Sequence, residues 1–131
     1  MDYKSKNRSK YLLMYHIIFV CKYRRKILQP IDNDLKQSIL KIASEYDFEI
    51  LEMETDKDHI HLLVSSEPKV STLSIVRLLK QRTTHDMWQS HSTYLRKYYW
   101  KEKTLWTDGY FVASVGNVSK ITIEKYIREQ G

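Results

Sequence analysis

Two pairs of residues in this chain have types and spacing suited to chemistry. His59 and His61 sit one residue apart in "DHIHLLVS", and Tyr126 and Gln130 sit four apart in "IEKYIREQ". On a strand, alternate side chains share a face, so the two imidazoles point the same way, about 6.6 Å apart along the chain. That separation lets both converge on one metal ion, since each metal–imidazole bond is only about 2.0–2.1 Å. Taken alone, the pair reads first as two half-exposed histidines on an open sheet face. On a helix, residues four apart share a face, so Tyr126 and Gln130 also belong together. A tyrosine phenol is a nucleophile once it loses its proton, which it does freely only near pH 10, at about its unperturbed pKa. A metal and basic neighbours would help it ionise. The amide oxygen of Gln130 suits a hard cation.

Two histidines are too few for a metal site, and the single cysteine, Cys21, excludes both an internal disulfide and a cysteine-rich zinc site. The remaining ligands must come from elsewhere in the chain, from water or from a substrate phosphate. His16, His85 and His91 read as structural or solvated residues.

The elements that must position these groups follow from periodicity. Residues 11–21 form an apolar, β-rich run and read as a central strand. "PIDNDLKQSILKIASEY" reads as a helix, with Asp32 or Asp34 as cap and Leu35, Ile39, Ile42 and Ala43 at helical spacing. "DFEILEME" alternates apolar and acidic residues, with a bulge at Ile50–Leu51. The polar "TDKD" turns it into "HIHLLVS", so the two form a hairpin in which Ile60, Leu62 and Val64 face the core. A second helix starts at Ser71 and runs through "STLSIVRLLKQRTTHDMWQ"; residues 92–108 are aromatic and basic, without a clear pattern. "GYFVASVG" reads as a fourth strand, and a terminal helix spans 118–130. The order β-α-β-β-α-β-α predicts an α+β, ferredoxin-like (RRM-like) four-stranded antiparallel sheet with helices on one face, plus a C-terminal helix. With 131 residues the chain suits one domain, with residues 1–9 as a flexible N-terminus.

Charge points to a polyanion. The net charge is +6, unevenly placed: residues 1–26 hold eight basic residues against one acid, residues 32–58 hold nine acids against three lysines, and residues 77–103 turn basic again. Nucleic acid is the leading partner for such a pattern. No run approaches the length of a membrane span and no secretory cleavage site follows the apolar N-terminal run, so the expected location is cytoplasmic.

Taken together, these stretches resemble the small single-tyrosine transposases of prokaryotic insertion sequences, the HUH (His-hydrophobic-His) class. "YHIIFVCKYRRKIL" resembles the family's first strand and basic turn, and "DHIHLLVS" its HUH strand. "STLSIVRLLKQRT" resembles the following helix, "LWTDGYFVASVG" the approach to the last strand, and "IEKYIREQ" the catalytic helix. Gln81 departs from the small residue expected after the helix lysine. The resemblance covers about residues 11–130 and implies a metal-dependent enzyme. Mg²⁺ or Mn²⁺ would be held by His59, His61 and Gln130, and Tyr126 would attack single-stranded DNA at hairpin-bearing element ends to give a 5′-phosphotyrosine link. It also implies a homodimer in which the helix of one chain serves the histidines of the other, with Gly116–Asn117 as a hinge. DNA contacts are expected from Lys22, Arg24, Arg25, Arg77, Lys80 and Arg82. Tyr98, Tyr99, Trp100 and Trp106 suit stacking on unpaired bases, with at least two of them expected in the core or a dimer contact. All three implied metal ligands are neutral, which predicts weak metal binding until a DNA phosphate joins them.

A non-catalytic RNA- or single-stranded-DNA-binding module of the same topology is the main rival. A phosphodiesterase would need a second His-x-Thr/Ser motif, which is absent. A replication-initiator nuclease of the HUH class would share the chemistry, but the short chain and the tyrosine placement favour the transposase.

Overall fold

A computed structural model describes residues 13–115 and 120–130. Its elements are β1 (Leu13–Val20), α1 (Asp32–Glu45), β2 (Phe48–Thr55), β3 (His59–Ser66), α2 (Thr72–Arg96), β4 (Phe111–Ser114) and α3 (Lys120–Arg128). The strands form one sheet in the order β2-β3-β1-β4, with every neighbouring pair antiparallel. This is the ferredoxin-like arrangement expected from the element order. The loose stretch expected at 1–9 and the hinge at Gly116–Asn117 lie outside the described residues.

One face of the sheet makes the core. Ile17 and Phe19 of β1 lie opposite Leu62 and Ile60 of β3, and all four are buried together with Leu35, Ile39, Ile42, Ile75, Val76 and Leu79 from α1 and α2. The register between β2 and β3 slips between Ile50 and Glu52, which places the bulge at Leu51. The bulge keeps Glu52 and Glu54 opposite Leu63 and His61, on the face away from the core.

Three local features differ from the sequence reading. Ile31, not an aspartate, occupies the N-cap of α1 and makes no side-chain cap bond. Asp32 and Asp34 fall in the first turn, where they still complement the helix dipole. Asp32 accepts a hydrogen bond from Thr55 Oγ1 at 2.6 Å, and Asp34 meets His91 Nε2 at 2.7 Å. Next, α2 continues to Arg96 through a break at His91 (φ −132°, ψ 34°), taking in part of the stretch without a clear pattern. Its start is as expected, with Ser71 Oγ accepting from Ser74 N. Finally, the second face is not open along its whole width. Ile18 and Val20 point away from the core yet are fully buried, and the Tyr126 ring of α3 lies 5.5 Å from that of Phe111, the cross-strand partner of Ile18.

Candidate active site

The histidines lie on the second face, as strand alternation requires, each half-buried beside fully buried Ile60 and Leu62. Each imidazole has one nitrogen engaged. His59 Nδ1 is 2.9 Å from Asp58 Oδ1, which leaves Nε2 free to ligate. His61 Nε2 is 2.9 Å from Nδ1 of His16, which sits diagonally across on β1. When His61 donates in that bond, its Nδ1 keeps a free lone pair. Histidine ligands are commonly oriented by such partners on their other nitrogen. His16 is thus part of the site rather than a bystander. The sequence signal for it was parity: His16 and Ile18 share a face, and Ile18 pairs with His61. Burial first, and His16 second, lower the pKa of His61, so it stays in the neutral form a metal needs.

Beside the pair lies a polar hollow of about 570 Å³, lined by Asp32, Lys36, Met53, Glu54, Thr55 and Asp56 as well as the two histidines. Among the described residues no three His, Cys, Asp or Glu side chains converge on a metal position. The donor set therefore fits two imidazoles completed by an amide or by a substrate, rather than a closed protein cage.

Tyr126 is on the same face, over β4. Strand β1 separates its neighbour Phe111 from His61, so the backbones of those two residues lie about 9.5 Å apart. The phenol is tucked beneath the loop 107–109: its oxygen is 3.8 Å from the position a Cβ on Gly109 would take. Burial raises its pKa; Thr107 opposes the shift, but neither Thr107 Oγ1 nor the Tyr126 hydroxyl has a well-formed hydrogen bond among the described residues. In this position Tyr126 is a protected phenol, not a poised phenolate.

The C-terminal end of α3 is tied to the histidine end of the sheet. Arg24 Nη1 donates to the carbonyl of Arg128 at 3.1 Å, and Arg24 Nε lies 3.4 Å from Asp58 Oδ2. The other oxygen of Asp58 holds His59. One carboxylate thus links the helix end, two residues before Gln130, to a candidate metal ligand. The turn that carries Arg24 is unusual, since Tyr23 and Arg24 both have positive φ (59° and 52°). Left-handed backbone in non-glycine residues costs on the order of 1–3 kcal/mol and persists where its surroundings enforce it.

The six expected DNA contacts divide. Arg25 and Arg77 are exposed. Lys22 faces Asp108 at 3.3 Å, and Arg82 pairs with Glu45 of α1 at 3.5 Å. Arg24 acts within the site, as described. Lys80 is engaged within the chain: its ammonium donates to the carbonyls of Thr107, Asp108 and Gly109 at 2.7, 3.0 and 3.0 Å. All three of its donors are used in this arrangement. Lys80 shapes the loop that covers Tyr126. Of the aromatic residues, Tyr99 and Trp106 are core, whereas Trp100 is exposed.

Comparison with known proteins gives this site its context. The family model described as "Transposase IS200 like" matches residues 9–130. The chain belongs to that family. It is 31% identical over 121 residues to the ISDra2 transposase TnpA of Deinococcus radiodurans, covering 92% of this chain and 85% of that protein. It is 34% identical to the transposase for insertion sequence element IS200 of Salmonella typhimurium, covering 98% of this chain and 84% of the relative. Among solved structures, a putative transposase from D. radiodurans superposes with a TM-score of 0.83 at 29% identity, over 92% of each chain. A REP-associated tyrosine transposase bound to a REP hairpin superposes with a TM-score of 0.59 at 17% identity, a likeness of fold. No helix of the described residues is long and apolar enough to cross a membrane.

Proposed function

We propose that this IS200-like transposase cleaves and rejoins single-stranded DNA at hairpin-bearing insertion-sequence ends through a covalent link to Tyr126. The observation that carries this reading is the placement of His59, His61 and the Tyr126 helix on one sheet face, joined through Asp58 and Arg24. His59 and His61, with Gln130 at the helix end, would hold a divalent metal, Mg²⁺ or Mn²⁺. Bound there, the metal would polarise the scissile phosphate and stabilise the leaving oxygen. The Tyr126 phenol gives up its proton and its oxygen bonds to phosphorus. The bond from phosphorus to the 3′ oxygen breaks, and that oxygen leaves as a 3′-hydroxyl. The 5′-phosphotyrosine keeps the energy of the broken phosphodiester, so a second 3′-hydroxyl can reverse the step on a new strand without ATP. Such chemistry belongs where the DNA is, inside the cell.

The burial of Tyr126 beneath the loop 107–109 makes this conformation a resting one. Reaction needs α3 to move relative to β4, either within its own chain or onto a second copy in a homodimer. Mixing Tyr126→Phe chains with His61→Ala chains separates the two. Trans sites leave one intact site in each mixed dimer and restore cleavage; cis sites leave none. The primary test incubates labelled single-stranded element ends with the protein and Mg²⁺ or Mn²⁺. A covalent adduct that maps to Tyr126 is expected. Hairpin binding with no adduct under either metal would instead mark a non-catalytic binding module.

A further inference from the structure

The turn of residues 22–25 faces two ways. Lys22 and Arg24 reach toward the loop and helix around Tyr126. Tyr23 and Arg25 instead line a separate cavity of about 450 Å³, together with Tyr98, Tyr99, Trp100, Lys101, Glu102 and Thr104. That volume is within the range of small-ligand sites. Two of the lining aromatic rings are held out in solvent: Trp100 is 65% exposed and Tyr23 63% exposed. A free indole in water is poorly used surface, and aromatic residues with one open ring face are common where a partner docks.

The backbone enforces the outward placement. Lys22 N donates to Leu105 O at 2.8 Å, Tyr99 Oη to Lys22 O at 2.9 Å, and Arg24 N to Cys21 O at 2.7 Å. These bonds hold the chain in the left-handed conformation at Tyr23 (φ 59°, ψ 18°). The Tyr23 ring then lies 6.5 Å from that of buried Tyr99, at the cavity wall. A residue whose only task was to turn the chain would be glycine or asparagine here.

We infer that this cavity receives one unpaired nucleobase of the single-stranded DNA next to the cleavage site. Trp100 and Tyr23 supply ring faces for stacking, and Arg25 and Lys101 supply charge for the phosphates on either side. Glu102 accepts a hydrogen from an exocyclic amino group, which favours adenine, cytosine or guanine over thymine. The charged lining argues against a second copy of the chain as the occupant, because the centres of protein interfaces are depleted of charge. The shared turn also gives the cavity a mechanical role. A strand whose base is seated against Tyr23 and Arg25 passes directly by Arg24, which holds the end of the Tyr126 helix.

This inference rests on the single-stranded DNA reading above, and its test separates the two. 2-Aminopurine, which carries an exocyclic amine and loses fluorescence on stacking, is placed in turn at each unpaired position flanking the cleavage site. Binding is measured with the full-length protein without metal. One position should be quenched, and Trp100→Ala should abolish that quenching and weaken binding about ten-fold. Trp100→Phe should restore most of both. Because Trp100 is exposed, its loss leaves the core intact. An abasic site at the quenched position should weaken the wild type by a similar factor and the Trp100→Ala variant not at all. Glu102→Gln should narrow the preference for amino-bearing bases over thymine. Equal binding by wild type and Trp100→Ala, or a Trp100→Ala protein that sediments as a smaller species than the wild type, overturns the proposal. Failure of the wild type to bind any single-stranded end would instead strike the functional reading beneath it.

Discussion

Strand β3 is hydrogen-bonded along both edges, to β2 and β1, and its inward residues Ile60, Leu62 and Val64 are fully buried. The contacts described for α3 are of another kind: Tyr126 packs on Phe111 at the short strand β4, and one guanidinium holds a carbonyl at the helix end. The half of the candidate site that carries His59 and His61 is therefore built into the most constrained part of the sheet. The half that carries Tyr126 rests on the sheet surface at β4 and at the turn of Arg24. A central strand opens only with the whole fold, whereas a docked terminal helix opens locally and at lower free energy. For the strand transfer proposed above, that inequality would keep His59 and His61 fixed while the helix that carries Tyr126 moves.

The sharpest way to break the comparison is at the nucleophile. Tyr126→Phe should lower cleavage by ~10⁴-fold or more while hairpin binding, followed by electrophoretic mobility, changes little. Retained adduct formation would move the nucleophile elsewhere. Next in size is a contrast between neighbours on β3. Ile60→Ala should cost about 2–5 kcal/mol of stability in urea unfolding, because it empties a fully packed position. His61→Ala should leave unfolding nearly unchanged and remove metal-dependent cleavage.

His16 provides a smaller, more specific probe. His16→Phe fills similar space but cannot hydrogen-bond His61, and should weaken Mn²⁺ binding to the protein–DNA complex by about 10–100-fold. His16→Gln should recover part of that loss; equal affinities for all three proteins would remove His16 from the site. On the helix side, Arg24→Ala should speed amide exchange in α3 by about five-fold, as expected for one ~1 kcal/mol hydrogen bond, without affecting β3. Faster exchange in both elements would mean that they open together.

The smallest effect concerns protons. The pKa of His61 is lowered from 6.5, chiefly by burial and then by His16. The folded state thus binds fewer protons than the unfolded one near that value. Any stability contributed is present above pH 6.5 and lost as pH falls through the lowered pKa. An NMR titration of the metal-free protein should place the His61 midpoint below 6.5, with His16→Phe moving it back upward. A midpoint at or above that value would contradict the burial argument.

The sequence by itself determined the sheet, its hairpin and bulge, and the shared face of His59 and His61, because a period of two residues leaves a strand with one burial register. It placed Tyr99 and Trp106 among aromatic residues of which some had to be core, but the helix it extended to Gln130 ends at Arg128, and Gln130 N donates to Ile127 O in the turn beyond. Tertiary structure alone decided what the remaining charged and polar residues do. Lys80, Arg24 and Lys22 look alike as basic residues in a basic zone. Yet one clamps three carbonyls, one joins a helix end to the aspartate that holds His59, and one faces Asp108. His16 read as structural or solvated until its strand was set beside β3. Apolar patterning is local and periodic, so it is written along the chain. The partner of a long polar side chain is whichever group the fold brings within about 3 Å of it, which no spacing in the sequence records.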